Sequence, residues 1–316
     1  MLAVDASAAP ASARTRPAPG RGLIPWRARR HIFAYAMMLP TFGLTALFTI
    51  YPLVNVLFHS FYSGTLFSLA HSFVGWANYV TLIQQGGIAA LGTTAMYTVG
   101  FVLSATVMGI LCALLLNLPL RGTEAVRTTF IIPLVVPIVA TAIVWTTLFN
   151  AYFGPVDAFL SFIGLPRIDW LGNPAIALTT VVMFSTWQYV GQNVILFIAA
   201  LRAIPVEVRE QALVDGARGF KNFWRITLPL ITPSLVVVMV IGTITAMQAF
   251  TQIYIITQGG PIDATTTAAF YVYQQAFQFF NTGASDAMAS IIFVITLILT
   301  VLQTRVLSRL GGGGLG

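Results

Sequence analysis

Seven neutral polar side chains stand inside otherwise apolar stretches of this chain, and hydrogen bonding is the chemistry open to them. Ser185, Gln188 and Gln192 recur at intervals of three and four residues, with Asn193 adjoining; residues so spaced share one face of a helix. Thr245, Gln248 and Gln252 repeat the pattern farther along. Amides and hydroxyls both donate and accept hydrogen bonds. Two such stripes suit the hydroxyls of a neutral polar solute such as a sugar, and Trp187 and Tyr189 can stack on a sugar face. The same residue types also bridge packed membrane helices, so the stripes alone leave both uses open.

A second constellation is the polar segment EQALVDGARGFKNFWRITLP, residues 210–229. Ahead of it, Pro205 is tolerated in a first helical turn, and Glu207 and Glu210 near a helix start complement its dipole. The residues from Val206 to Val214 predict a short helix ending at Asp215 and Gly216, where glycine permits a turn that other residues resist. Ala217 follows, and then Phe220, Phe223 and Trp224 present aromatic rings close to Lys221 and Arg225, with Pro229 at the start of the next apolar run. A short helix carrying the small residue Ala212 between an acid and a glycine can lie in another protein's groove, with Glu210 paired to an arginine there. Interfaces of this kind rest on a few anchors.

Other chemistries find no support in the residue pattern. His31, His59 and His71 are the only histidines and none stands in an H-E-x-x-H arrangement, which disfavours an intramembrane metalloenzyme, and no metal site is expected. The single Cys112 rules out an intrachain disulfide and a thiol cluster. A nucleotide-binding P-loop needs G-x-x-x-x-G-K-[ST], and the only lysine, Lys221, follows Phe220.

The elements that position these residues follow from composition. Of 316 residues, 57% are hydrophobic and 8% charged, against about 25% charged in soluble domains. This is the composition of a membrane protein. Six apolar stretches, near 32–58, 93–118, 128–149, 176–201, 232–250 and 287–307, reach the roughly 20 residues a bilayer-crossing helix needs. They are too long and too uniformly apolar for barrel strands. Pro133 and Pro137 predict a kink in the third. No Asp, Glu, Lys or Arg is placed inside the six, Arg305 being counted with the tail. A charge at a helix centre costs about 2.5–3.5 kcal/mol, so this absence argues against ion coupling and against a strongly charged solute.

Basic residues set the expected orientation. Fifteen of the sixteen fall in the amino-terminal tail, the second and fourth connections and the carboxy-terminal tail, and Arg167 alone falls on the other side. The positive-inside rule makes the first side cytoplasmic, with both termini there. The cations then act as retention signals beside helix ends, and nucleic acid is not expected as a partner. The expected organisation is a disordered basic cytoplasmic tail over 1–31, a six-helix membrane domain over 32–309 with a cytoplasmic loop at 204–229, and a glycine-rich tail over 310–316 with no assigned role. The first span is too long for a cleaved signal peptide.

The 210–229 segment resembles the signature loop of ABC-importer permeases, E-A-A-x3-G-x9-I-x-L-P. Glu210, Ala212, Gly216, Ile226, Leu228 and Pro229 fall on its spacing, while Gln211 stands where the family has its first alanine. The segment 73–83, FVGWANYVTLI, resembles the family's GxxNY stretch, RTTFIIP at 127–133 its entry to the third helix, and ITQGGPIDATTT at 256–267 its LTxGGPxxAT stretch. Together these cover about 230 residues.

The resemblance implies an all-α membrane protein with six transmembrane helices in the type I ABC importer permease fold, of the carbohydrate-uptake, maltose-permease-like class. It implies a multi-pass subunit of the bacterial cytoplasmic (inner) membrane, embedded in the lipid bilayer and itself no enzyme. The implied partners are a second homologous permease subunit, two ATP-binding subunits that would hold ATP and Mg, and an extracytoplasmic solute-binding protein. Glu210, Gln211, Ala212, Asp215, Gly216, Ala217, Phe220, Phe223, Trp224 and Pro229 would couple to the ATPase. Ser185, Trp187, Gln188, Gln192, Asn193, Thr245, Gln248 and Gln252 would meet the solute. The competing expectation is an autonomous secondary transporter, which would need a coupling-ion site and no partners.

Overall fold

Without water to satisfy them, the backbone groups of long apolar runs pair internally only as helices, and the longest runs here become the longest helices. The computed structural model describes residues 26–65, 72–118 and 123–311. The basic residues before 26, His71, Arg121 and the glycine-rich end from 312 lie outside the described residues.

The chain divides into two units at Val54 and Asn55. The first holds α1 (Trp26–Thr45), a π-helical turn (Ala46–Ile50) and the start of α2 (Tyr51–His59). Phe33, Leu39, Phe42, Leu47 and Phe48 are each more than half exposed, as lipid-facing residues are. The run Phe33–His59 is long and apolar enough to cross a membrane.

The second unit begins at the end of α2 and passes through a two-residue antiparallel pairing of β1 (Tyr62–Ser63) with β2 (Ser72–Phe73). Then follow α3 (Ala77–Gln84), α4 (Gly87–Leu116), α5 (Thr123–Val135), α6 (Ile138–Leu148) and α7 (Pro155–Phe162). The remainder comprises α8 (Ala177–Arg202), α9 (Val206–Val214), α10 (Gly219–Asn222), α11 (Leu228–Met247), α12 (Thr251–Ile256), α13 (Ala268–Tyr273) and α14 (Thr282–Gly311). Among the described residues, five helices are long and apolar enough to span a bilayer, and α5 with α6 supplies a sixth if the bent pair is one span.

Three expectations change. The third span is broken, not merely kinked: α5 and α6 meet at 101°. The break falls at Pro137, which caps α6, while Pro133 is absorbed inside α5. The fifth span starts earlier than expected, because α10 runs through a π-helical turn (Phe223–Thr227) into α11, giving a continuous Gly219–Met247. The last helix starts at Thr282, so Asp286 lies within its first two turns and Arg305 within its final turns. Neither sits at the helix centre, where the cost of a charge is highest.

Helix α8 is the spine of the second unit. It lies along α4 and also packs on α5 and α11. Small residues permit this, as they do in membrane helix packing generally: a Cβ added to Gly109 would stand 2.7 Å from the Cβ of Asn193. Tyr97, Phe101, Phe184, Ile253 and Phe270 form a central core, and Val194, Phe197, Ile198, Leu201 and Ile231 form one toward α9.

Motif-bearing loops prove to be clamps. Asn78 Nδ2 donates to the carbonyls of Ser60 (2.8 Å) and Tyr62 (2.9 Å), and the Tyr79 hydroxyl donates to Ser60 Oγ at 2.9 Å. In the 256–267 segment, Thr267 Oγ1 donates to the Ala249 carbonyl at 2.7 Å, and Ala268 N donates to Thr94 Oγ1 at 2.7 Å. The threonines thereby tie α13 to α4 and to the end of α11.

Candidate functional site

The polar stripes divide between bridges and cavity walls. Gln252 Nε2 donates to the Tyr97 hydroxyl at 2.8 Å, Tyr97 donates to Ser185 Oγ at 2.8 Å, and Ser185 donates to the Val181 carbonyl at 3.0 Å. All three side chains are buried. This relay joins α12, α4 and α8 through groups that satisfy one another. Tyr97, its hub, went unrecognised in the sequence, although Thr94, Tyr97 and Thr98 mark a polar helix face at the same three- and four-residue spacing.

Gln188 answers a specific backbone deficit. In an unbroken helix the Pro133 carbonyl would accept from residue 137, but Pro137 has no N–H. Gln188 Nε2 donates to that carbonyl at 2.5 Å and reaches the Val136 carbonyl at 3.3 Å, while its Oε1 accepts from Thr141 Oγ1 at 2.9 Å. The side chain is 3% exposed and serves the α5–α6 break. Replacing it by leucine leaves the buried Pro133 carbonyl unpaired, at a cost of about 1–3 kcal/mol. The expected result for Gln188→Leu is a lowered thermal unfolding midpoint of the purified chain. A solute contact would show instead as a raised KM with an unchanged midpoint.

Gln192, Asn193 and Thr245 come together around a narrow cleft of about 20 Å³, beside Tyr189 and Gly242. Asn193 Nδ2 donates across the helix pair to the Ala105 carbonyl at 3.1 Å. Gln248 ends α11 and is exposed. Trp187 lies apart from these, 5.6 Å from Trp145 between ring centroids, on an apolar cavity of about 450 Å³ that also meets Ser104, Phe130 and Thr186. Of the eight candidates, then, Ser185, Gln188 and Gln252 are buried and bonded to protein partners, and Gln192, Asn193 and Thr245 line one cleft.

The 204–229 segment forms a two-faced projection. Val208 packs against the core beside Leu201 and Ile204, and Arg209 donates a hydrogen bond to the Leu201 carbonyl. Ala212 is 3% exposed and Ala217 6%, so both small residues turn toward their own chain. Ala212 is therefore on the inward side of α9, where a larger side chain would have to displace its neighbours. Glu210, Gln211 and Asp215 occupy the open side, with Val206 and Val214 exposed beside them. Gly216 has φ of +74°, a left-handed conformation that costs L-residues about 1–2 kcal/mol. It ends α9 as expected, with Ala217 N donating to the Ala212 carbonyl at 2.9 Å.

Phe220 is 77% exposed and Trp224 53%, their rings 5.8 Å apart and edge-on, and Phe223 meets Trp224 at 5.7 Å. These rings stand on the rigid continuation of α11, not on a flexible loop. The uninterrupted stretch without Gly or Pro between Phe220 and Leu228 is the sequence signal for that continuity. Pro229 stands directly after the π-helical turn, inside the continuous Gly219–Met247 helix.

Apolar spans, a broken third helix and a polar projection define a multi-pass helical membrane protein. Comparison places it further: the chain belongs to the family of binding-protein-dependent transport system inner membrane components, which matches residues 105–312. It is 32% identical over 276 residues to the trehalose/maltose transport system permease protein MalF of Thermococcus litoralis, covering 86% of this chain and 92% of that one. It is 32% identical over 283 residues to the sn-glycerol-3-phosphate transport system permease protein UgpA of Agrobacterium fabrum, covering 88% and 95%. Among solved structures, a chain of a bacterial alginate ABC transporter, in complex with an alginate pentasaccharide-bound periplasmic protein, superposes with a TM-score of 0.80. It is 26% identical and the match covers 90% of this chain and 97% of that one. The protein is thus an inner-membrane component of a binding-protein-dependent ABC importer, and its relatives are transport permeases, not enzymes.

Proposed function

We propose that this chain is the permease subunit of an ATP-driven importer for a neutral polar solute, a sugar or oligosaccharide delivered by an extracytoplasmic binding protein. It pairs with a second, homologous permease and with two cytoplasmic ATP-binding subunits, which hold the ATP and Mg. Both termini are cytoplasmic. Nucleotide-driven closure of the ATPases pushes on the α9 projection, and the cleft of Gln192, Asn193 and Thr245 opens alternately to either side. The observation that carries this reading is the projection itself: Glu210, Gln211 and Asp215 exposed on one side of α9 and Phe220 and Trp224 exposed next to it. Exposed aromatic rings beside open acidic side chains can supply the few anchors on which an interface rests. The relatives' named cargoes, trehalose/maltose, glycerol phosphate and alginate, support a polyhydroxylated solute.

The test is uptake into vesicles by this chain with its genomic neighbours. Uptake should require ATP and every subunit. Thr245→Val and Gln248→Leu should raise KM several-fold without lowering the unfolding midpoint, since neither side chain bridges two helices. Transport by the chain alone without ATP would establish the secondary-transporter reading instead.

A further inference from the structure

Away from the membrane-embedded cleft, another cavity, of about 230 Å³, opens between the start of α4, the 256–267 loop and α13. By the orientation proposed above, this is the extracytoplasmic face. Its walls carry Gln85, Gln274, Gln275, Asp263, Thr266 and Tyr271, with Phe279 and Ala89 as apolar surface. Tyr271 is 4% exposed, and its hydroxyl, fully buried, has no hydrogen-bond partner among the described residues. Gln275 is also 4% exposed. A buried hydroxyl without a partner is costly unless something satisfies it. Asp263 is held by a left-handed backbone (φ +57°) and accepts one hydrogen bond, from Thr266 Oγ1 at 3.3 Å.

From this set we infer that the cavity is an outer subsite for one ring of a neutral sugar, distinct from the cleft between α8 and α11. The donor and acceptor inventory decides the class. Three amides and a phenol offer donors as well as acceptors, and no basic residue is present among the described residues of the lining. A lysine or arginine side chain has no acceptor and would satisfy only Asp263 and the amide oxygens, leaving the buried Tyr271 hydroxyl hydrogen unmet. Sugar hydroxyls donate and accept at once, so one ring can satisfy both sets. Phe279 supplies the apolar surface a ring face needs. The volume holds about eight waters at roughly 30 Å³ each, which is the scale of one pyranose.

The experiment uses the full chain in lipid nanodiscs, free of glycoside detergents, with methyl α-D-glucopyranoside as the added ligand. Saturation-transfer NMR and the ligand-induced rise in unfolding midpoint are read together. Wild type should give both signals. Tyr271→Phe combined with Gln275→Leu should weaken binding at least tenfold, and Ala89→Trp, which fills the cavity without removing a polar group, should do the same. Misfolding is controlled by Tyr271→Phe alone, which removes an unpartnered hydroxyl and should leave the ligand-free midpoint equal or higher. Signals unchanged in the variants would overturn the subsite, as would Ala89→Trp weakening binding-protein docking while glycoside binding persists, which would mark a protein contact. Sugar uptake by the assembled importer is measured in parallel. Uptake without cavity binding sinks the subsite alone, and cavity binding without any sugar uptake sinks the import reading alone.

Discussion

Gly191→Val is expected to prevent the chain from accumulating as a folded protein. A Cβ at this position would stand 2.0 Å from the Phe130 carbonyl oxygen and 2.9 Å from its carbon. Both are backbone atoms, so no rotamer change relieves the contact; α5 would have to move off α8. Overpacking a tight core costs about 1–3 kcal/mol where side chains can give way, and here only a helix can. The displacement would also pull Pro133 away from Gln188, stranding the carbonyl that Pro137 leaves open. The measurement is the yield of monodisperse protein and its unfolding midpoint. Gly191→Ala should already lower the midpoint strongly. Gly92→Ala, where an added Cβ meets nothing within 4 Å, should leave it unchanged or higher, since alanine favours helix over glycine by about 1 kcal/mol. Equal midpoints for the two alanine variants would refute the close α5–α8 approach.

The same crossing shows what could be read from the sequence and what could not. Long apolar runs announce helices because the bilayer leaves the backbone no alternative, so the six spans and the projection between the fourth and fifth were legible. Pro133 and Pro137 were visible as helix breakers, but which of them breaks the helix depends on a tertiary partner. Pro133 is carried inside α5, and Gln188, 55 residues away, meets the carbonyl left open at Pro137. For the same reason the polar stripes were ambiguous. A glutamine spaced for one helix face serves a solute or a neighbouring helix according to what stands opposite, and a chain's own periodicity does not encode that. Ser185, Gln188 and Gln252 found protein partners, whereas Gln192 and Thr245 border a cleft. Ala212 shows the limit from the other direction. Its smallness was readable, but not that the side chain faces the protein's own interior.

Those two sides of α9 separate docking from folding, and hence yield the sharpest expectation for function. Glu210 is exposed and makes no ion pair or hydrogen bond among the described residues, so Glu210→Arg should leave the unfolding midpoint of the isolated chain unaltered. If the carboxylate pairs with an arginine of an ATP-binding subunit, reversal places two like charges together in a desolvated interface. Losing a hot spot costs about 2 kcal/mol or more, so co-purification of the ATPase should weaken by about 30-fold or more, with ATP-driven uptake lost. Gly216→Pro should have the same functional effect by another route. Proline fixes φ near −65° and cannot hold the +74° found there, so the chain leaves α9 in the wrong direction and Phe220 and Trp224 shift relative to Glu210. Because α10 is continuous with α11, that shift disconnects the projection from the fifth span while the six helices stay packed. Ala212→Leu completes the set: it acts on the inward side and should lower the midpoint as well as uptake. An ATPase that stays bound to Glu210→Arg and Gly216→Pro, with uptake intact, would remove α9 from the coupling path.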